Sequence, residues 1–146
     1  MENDGMLSQI RAAFGGGGVD IRTYSPLTFA YIGDAVYEII MRTIVVDTGQ
    51  RAVEELHRHT IKLVCAQTQA AMAEALYDDF MTEEEQAIYR RGKNAKINSS
   101  AKNASLADYK KATGLEAVCG YLFLSGRSER AVELVKKGIE LLGIEI

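Results

Sequence analysis

The chain has 146 residues, 47% apolar and 25% charged, with one proline and no tryptophan. That length suits a single domain with a real core, and the composition is that of a soluble globular protein rather than a disordered or fibrous one. The formal net charge of −3 argues against a uniformly basic nucleic-acid binder, though not against one that gathers its positive charge in one segment.

Ala, Leu, Glu and Lys are abundant, which favours helix throughout, so an all-α fold is expected. The N-terminus is polar and acidic, unlike a signal peptide. MLSQIRAAF, within residues 1–14, is a candidate short helix. Four consecutive glycines follow, Gly15–Gly18. No Gly-Lys-Ser/Thr comes after them, so a flexible hinge is expected rather than a phosphate-binding loop. Residues 1–19 are taken as a flexible segment, and 20–146 as the domain.

Residues 26–46, PLTFAYIGDAVYEIIMRTIVV, form the most apolar long run. Ser25 is a good N-cap, Pro26 fits the first helical position, and Gly49 stands just past the end. A helix of about five to six turns is expected, apolar nearly all round and therefore central and buried. Its length would suit a membrane span, but Asp34, Glu38 and Arg42 in its middle argue against one. Asp34 lines up with Leu27, Tyr31 and Glu38, and Gly33 beside it weakens the helix. A carboxylate in such surroundings needs a partner. It is either a core Asp bonded to a neighbouring helix terminus or a metal ligand in a cleft.

Residues 51–64 are amphipathic, with Val53, Leu56, Thr60, Ile61 and Val64 on the expected inner stripe. His57 and His59 point to different faces, a poor metal pair. Residues 66–80 give another helix, with Ala70, Ala73, Leu76, Tyr77 and Phe80 inward. Thr82 and Glu85 are spaced as a capping box, opening a helix that runs into Arg90 and Arg91. Residues 92–105 are polar and weakly periodic, a loop or a broken helix end. Residues 90–111 hold seven Lys or Arg and one Asp, for +6, against −9 elsewhere. That segment is either a solvated linker or a phosphate-contacting surface, with Lys for charge and Asn and Ser as neutral donors. The next helix, 105–125 with a break expected near Gly114, carries Leu115, Val118, Cys119 and Leu122 on its apolar face. Glu116 aligns instead with Thr113, Gly120 and Phe123. Ser128 is expected to cap a last helix, 129–142, ended by Gly143, with Ala131, Leu134, Val135, Ile139 and Leu142 inward. Cys65 and Cys119 lack metal or redox spacing and are expected to be reduced, buried and inert, as in a cytoplasmic protein.

Two blocks carry a family resemblance. YIGDAVYE resembles the signature helix of the ribonuclease III family, roughly E-x-x-E-[FY]-[LI]-G-D-[AS]-V. Asp34 falls on its Asp and Gly33 on its Gly, while its two earlier acids fall on Leu27 and Ala30. TGLEAVCGYLFLSG resembles that family's second block, with Glu116 on its Glu, Gly120 on its Gly and Thr113 where an Asp stands. The match covers roughly residues 20–143 and is nearest to the short branch, Mini-ribonuclease III, which has no separate double-stranded-RNA-binding domain and shares the Ala, the Thr and a stretch like RGKNAK.

The resemblance implies a ribonuclease III-type all-α domain that cuts double-stranded RNA and matures the ends of precursor 23S ribosomal RNA in the cytoplasm. It implies Mg2+ as cofactor, since carboxylate-held magnesium can activate water and relieve phosphate charge. Asp34 and Glu116 are the implied catalytic and metal-binding residues, and Glu38 is a third candidate ligand. The implied RNA contacts are Arg90, Arg91, Lys93, Asn94, Lys96, Asn98, Ser99, Lys102 and Asn103. A two-fold homodimer is implied through Tyr31 and the apolar face of 26–46, and a ribosomal protein on the RNA is a candidate partner. One rival is a catalytically inactive relative that binds RNA as a structural part of a ribosome-related assembly; the missing acids favour it and the two retained acids oppose it. A helical protein-interaction module would explain neither block.

Overall fold

Two glycines decide how the two longest helices meet, and capping side chains decide where those helices begin. The computed structural model describes residues 5–96 and 105–146. Those residues contain seven α-helices and no strand. Helix α1 covers Met6–Phe14, and a 3-10 turn at Ile21–Thr23 leads into the domain. Helix α2 spans Pro26–Val46, with the Ser25 Oγ accepting the N–H of Thr28 at 3.2 Å. Helices α3, Val53–Val64, and α4, Ala66–Tyr77, meet at Cys65. Helix α5 is Glu83–Lys93. It opens on a closed capping box: the Thr82 N–H donates to Glu85 at 2.9 Å and the Glu85 N–H to Thr82 Oγ1 at 3.1 Å. Helix α6 is Leu106–Leu124, capped by Ser105 and continuous through Gly114. Helix α7 is Ser128–Leu142 and ends on Gly143 in the left-handed region at φ 67°.

The core is built around α2 and α6. A Cβ on Gly33 would stand 1.7 Å from the Glu116 carbonyl oxygen, and one on Gly120 would stand 1.9 Å from that of Phe29. The two backbones therefore touch, which only paired glycines permit. On another side of α6, a Cβ on Gly92 of α5 would lie 2.8 Å from that of Ala117. Phe29, Tyr37 and Met41 of α2, Met72 and Leu76 of α4, Leu115 and Leu122 of α6 and Leu134 of α7 fill the interior. The Tyr37 hydroxyl donates to the Leu63 carbonyl at 2.7 Å, which ties α3 to α2. Glu85, only 2% exposed, receives two bonds from Arg130 of α7, at 2.8 and 2.9 Å. Arg130 also donates to the Phe80 carbonyl at 2.9 Å, so one guanidinium joins α7 to the start of α5.

Several expectations need correction. Helix α2 is buried on one side only: Tyr31 is 83% exposed, Ile39 is 53% exposed, and Asp34 also faces solvent. On α3 the fully buried residues are Thr60 and Leu63, whereas Val53 and Ile61 are exposed. This helix meets α2 and α4 along one edge, too narrow a contact to cover its whole apolar stripe. Helix α4 stops at Tyr77, and Tyr77 and Phe80 are half-buried. Gly114 does not break α6, because its missing side chain makes room for the Tyr89 ring. Ser128 is the first residue of α7 rather than its cap. Cys119 is buried, but Cys65 is half-buried at the α3–α4 junction.

Candidate active site

Asp34 follows Gly33, and Glu116 lies one helical turn before Gly120. The glycine contact that brings α2 onto α6 therefore also brings these two carboxylates into one cleft, close enough for the charge of Asp34 to act on Glu116. They open onto a cleft of about 840 Å³, lined also by Ala30, Tyr31, Glu38 and Thr113. Glu116 is half-buried and Asp34 exposed. Burial, then the Asp34 charge, pushes the Glu116 carboxyl up to about 8, while a hydrogen bond from Gln69 pulls the other way. Two ionised carboxylates this close repel each other unless a cation lies between them. The donors here are oxygens, and a hard divalent cation such as Mg2+ prefers oxygen. The pair fits that class of ion.

The positions that would carry further acids are closed to that role. Ala30 has no donor, and the buried Thr113 gives its hydroxyl proton to the Tyr109 carbonyl at 2.9 Å. Glu38 lines the same cleft but is held by Arg42, at 2.8 Å to Nε and 2.6 Å to Nη2. Among the described residues no group of three or more Asp, Glu, His or Cys side chains is gathered as a metal site. His57 is exposed, and His59 is engaged by Arg51 at 2.9 Å.

The basic segment approaches the cleft from α5. Lys96 lines its rim, and Arg91 and Asn94 are exposed nearby in the chain. Arg90 donates to the Tyr77 hydroxyl, and the Lys93 ammonium stands 6.0 Å from the Tyr89 ring centre. Lys111 pairs with Glu74. Asn98, Ser99, Lys102 and Asn103 lie outside the described residues. Tyr31 and Leu27 are exposed beside the acids.

Sequence reasoning missed Gln69 of α4. Its Nε2 donates to the Val64 carbonyl at 2.9 Å and to Glu116 Oε2 at 3.2 Å. The signal was present: Gln69 is a polar residue in line with Met72, Ala73 and Leu76 on a buried helix stripe.

Residues 27–127 match the Ribonuclease III domain family. The chain is 44% identical to a Mini-ribonuclease 3 of Clostridium tetani over 123 residues, covering 84% of this chain and 81% of that protein. It is 42% identical to the Mini-ribonuclease 3 of Enterococcus faecalis, covering 85% and 95% respectively. A crystal structure of a Fusobacterium nucleatum protein superposes with a TM-score of 0.75 at 30% identity, over 83% of this chain and 96% of the other. With most of its length matched and the acids of both signature blocks lining one cleft, the chain belongs to the ribonuclease III family, within its Mini-ribonuclease 3 group.

Proposed function

We propose that Asp34 and Glu116 form the Mg2+-dependent hydrolytic centre of this chain, and that its natural substrate is the duplex at the ends of precursor 23S ribosomal RNA. Family membership makes the chain an endoribonuclease acting on double-stranded RNA. The observation that carries the site assignment is that the Gly33–Gly120 helix contact sets both carboxylates in the lining of one open cleft. Bound there, magnesium would activate water and neutralise charge developing on the scissile phosphate. Asp34 and Glu116 would supply its protein oxygens. Glu38 is a weaker candidate, since it would first have to leave Arg42. Lys96 on the rim, and Arg90, Arg91, Lys93 and Asn94 of the preceding turns of chain, would hold phosphates along an A-form duplex, which is recognised by shape and backbone; Arg90 and Lys93 line a separate hollow beside Tyr77 and Tyr89. Asn98, Ser99, Lys102 and Asn103 are further proposed RNA contacts, on their residue types and the family resemblance.

One cleft reaches one strand. The exposed apolar side of α2 around Tyr31 and Ile39 supports a two-fold dimer in which each copy cuts one strand. Among the described residues no helix is long and apolar enough to cross a membrane, and the proposed ribosomal RNA substrate supports work in the cytoplasm. A ribosomal protein on the RNA is a further proposed partner.

Incubation with structured precursor 23S ribosomal RNA, with Mg2+ and separately with EDTA, followed by mapping of the cut ends, tests this reading. Staggered cuts near the mature ends that need Mg2+ support it. Tight binding without cleavage would instead identify an inactive RNA-binding relative.

A further inference from the structure

Gln69 is 3% exposed, in the interior of a helix whose other buried residues are Ala70, Met72, Ala73 and Leu76. A polar side chain there needs a reason, because an apolar one of equal length would pack without a desolvation cost. The Val64 carbonyl, one of the two partners of its Nε2 beside Glu116 Oε2, has no proton and can only accept, whatever the charge on Glu116. This fixes the amide orientation, since the flipped amide would set Oε1 against the Val64 carbonyl oxygen. The orientation leaves Oε1 buried with no partner among the described residues. An orphaned buried acceptor costs about 1–3 kcal/mol, so the contacts made by Nε2 are retained at the expense of stability.

The anchor is the more telling half of the arrangement. The Val64 carbonyl belongs to the last residue of α3 and has a fixed place in the fold. The amide bridges that fixed point to one oxygen of Glu116, the carboxylate that shares the cleft with Asp34. We infer that Gln69 is a positioning residue, which locks the rotation of the Glu116 carboxylate so that it and Asp34 are aligned for one divalent cation before that cation arrives. This rests on the metal-site reading above. The general expectation for a side chain that orients a metal ligand is a loss of metal affinity or activity of about 10–100-fold when it is removed.

The test compares wild type with Gln69→Met, which keeps length and volume and removes the donor. Gln69→Leu serves if Gln69→Met does not fold. Three quantities are measured: Mn2+ binding to the RNA-free protein by loss of the free-ion electron paramagnetic resonance signal, the Mg2+ concentration for half-maximal cleavage of a duplex RNA, and the unfolding temperature. The expected result is Mn2+ binding weakened about tenfold or more, a matching rise in the Mg2+ requirement, cleavage largely restored at saturating Mg2+, and an unfolding temperature equal to or above that of wild type. Unchanged Mn2+ affinity in a folded variant would overturn the positioning role while leaving the metal site standing. Wild-type protein that binds no Mn2+ would overturn the metal-site reading, and the role of Gln69 with it.

Discussion

Asp34 and Glu116 differ in exposure but line one cleft, and each offers oxygens that an amide substitution would halve. Asp34→Asn and Glu116→Gln keep side-chain size and remove the negative charge that a cation requires. Each is expected to lower duplex-RNA cleavage by about 10³-fold, the loss of several kcal/mol of charge stabilisation at about 1.36 kcal/mol per tenfold. Far-ultraviolet circular dichroism and duplex binding should be nearly unchanged. Single-turnover cleavage at saturating RNA is the measurement, and a near wild-type rate in either variant would remove that residue from the site. Glu38→Gln is the informative companion: held by Arg42 on the cleft wall, it should cost much less than either.

At the scale of elements, the site depends on a backbone contact between helices. In Gly33→Ala the new Cβ would meet the Glu116 carbonyl oxygen at 1.7 Å. That atom is backbone and cannot rotate away, so α2 and α6 must separate. The expected cost is about 3 kcal/mol or more, at the upper end of overpacking effects, together with loss of cleavage as the carboxylates part. Gly18→Ala, with nothing within 4 Å, should leave both stability and activity unaltered. Thermal unfolding and cleavage assays on the pair check this. The α5–α7 joint makes a second prediction. Arg130→Met leaves Glu85 buried and uncompensated, which should cost about 3–5 kcal/mol at neutral pH. Burial pushes the Glu85 carboxyl up, but bonds from Arg130 and Thr82 outweigh it and hold the group below its usual range. A depressed carboxyl stabilises the fold above its unfolded pKa and loses that contribution as pH falls through its folded pKa. Wild type should therefore weaken on acidification below about pH 4.5. The deficit of Arg130→Met should narrow from a higher pH downward, because burial without Arg130 lets the stranded Glu85 take up a proton sooner. Urea unfolding at pH 7 and pH 4 measures both, and a deficit independent of pH would show that Arg130 acts by packing alone.

For the whole molecule, the exposed side of α2 and the basic segment set the predictions. Tyr31, 83% exposed beside the cleft, would be enclosed in the proposed dimer. Tyr31→Lys would place an unpaired charge in that contact and should give monomers in sedimentation at micromolar concentration. A wild-type protein that is itself monomeric there would dismiss the dimer. With most of the chain acidic, RNA affinity must draw on the +6 of residues 90–111. Replacing Lys93, Lys96 and Lys102 by Ala should weaken binding to many duplexes alike and lower the salt slope by about one unit per lost phosphate contact. Binding across a salt series reads this, and an unchanged slope would move the RNA contacts to another surface.

What the sequence by itself determined is what local chemistry determines. Ser25 with Pro26, the Thr82–Glu85 capping box and the glycine after Leu142 set helix ends through bonds within a few residues. Asp34 and Glu116 stood out because each is an acid in a mostly apolar stretch of helix, with a glycine next to Asp34 and another one turn after Glu116. The pairing of those glycines across α2 and α6 was decided only in three dimensions, since the atoms that forbid a Cβ on Gly33 belong to Glu116 and Gly120. The same holds for Gln69 on Glu116, 47 positions apart, and for Arg130 on Glu85, 45 apart. Nor could hydrophobicity tell that one side of α2 remains open, because periodicity records how apolar a face is and not whether another surface covers it. Only the tertiary structure, which seats α6 on one side of α2 and leaves Tyr31 and Ile39 in solvent, decides that.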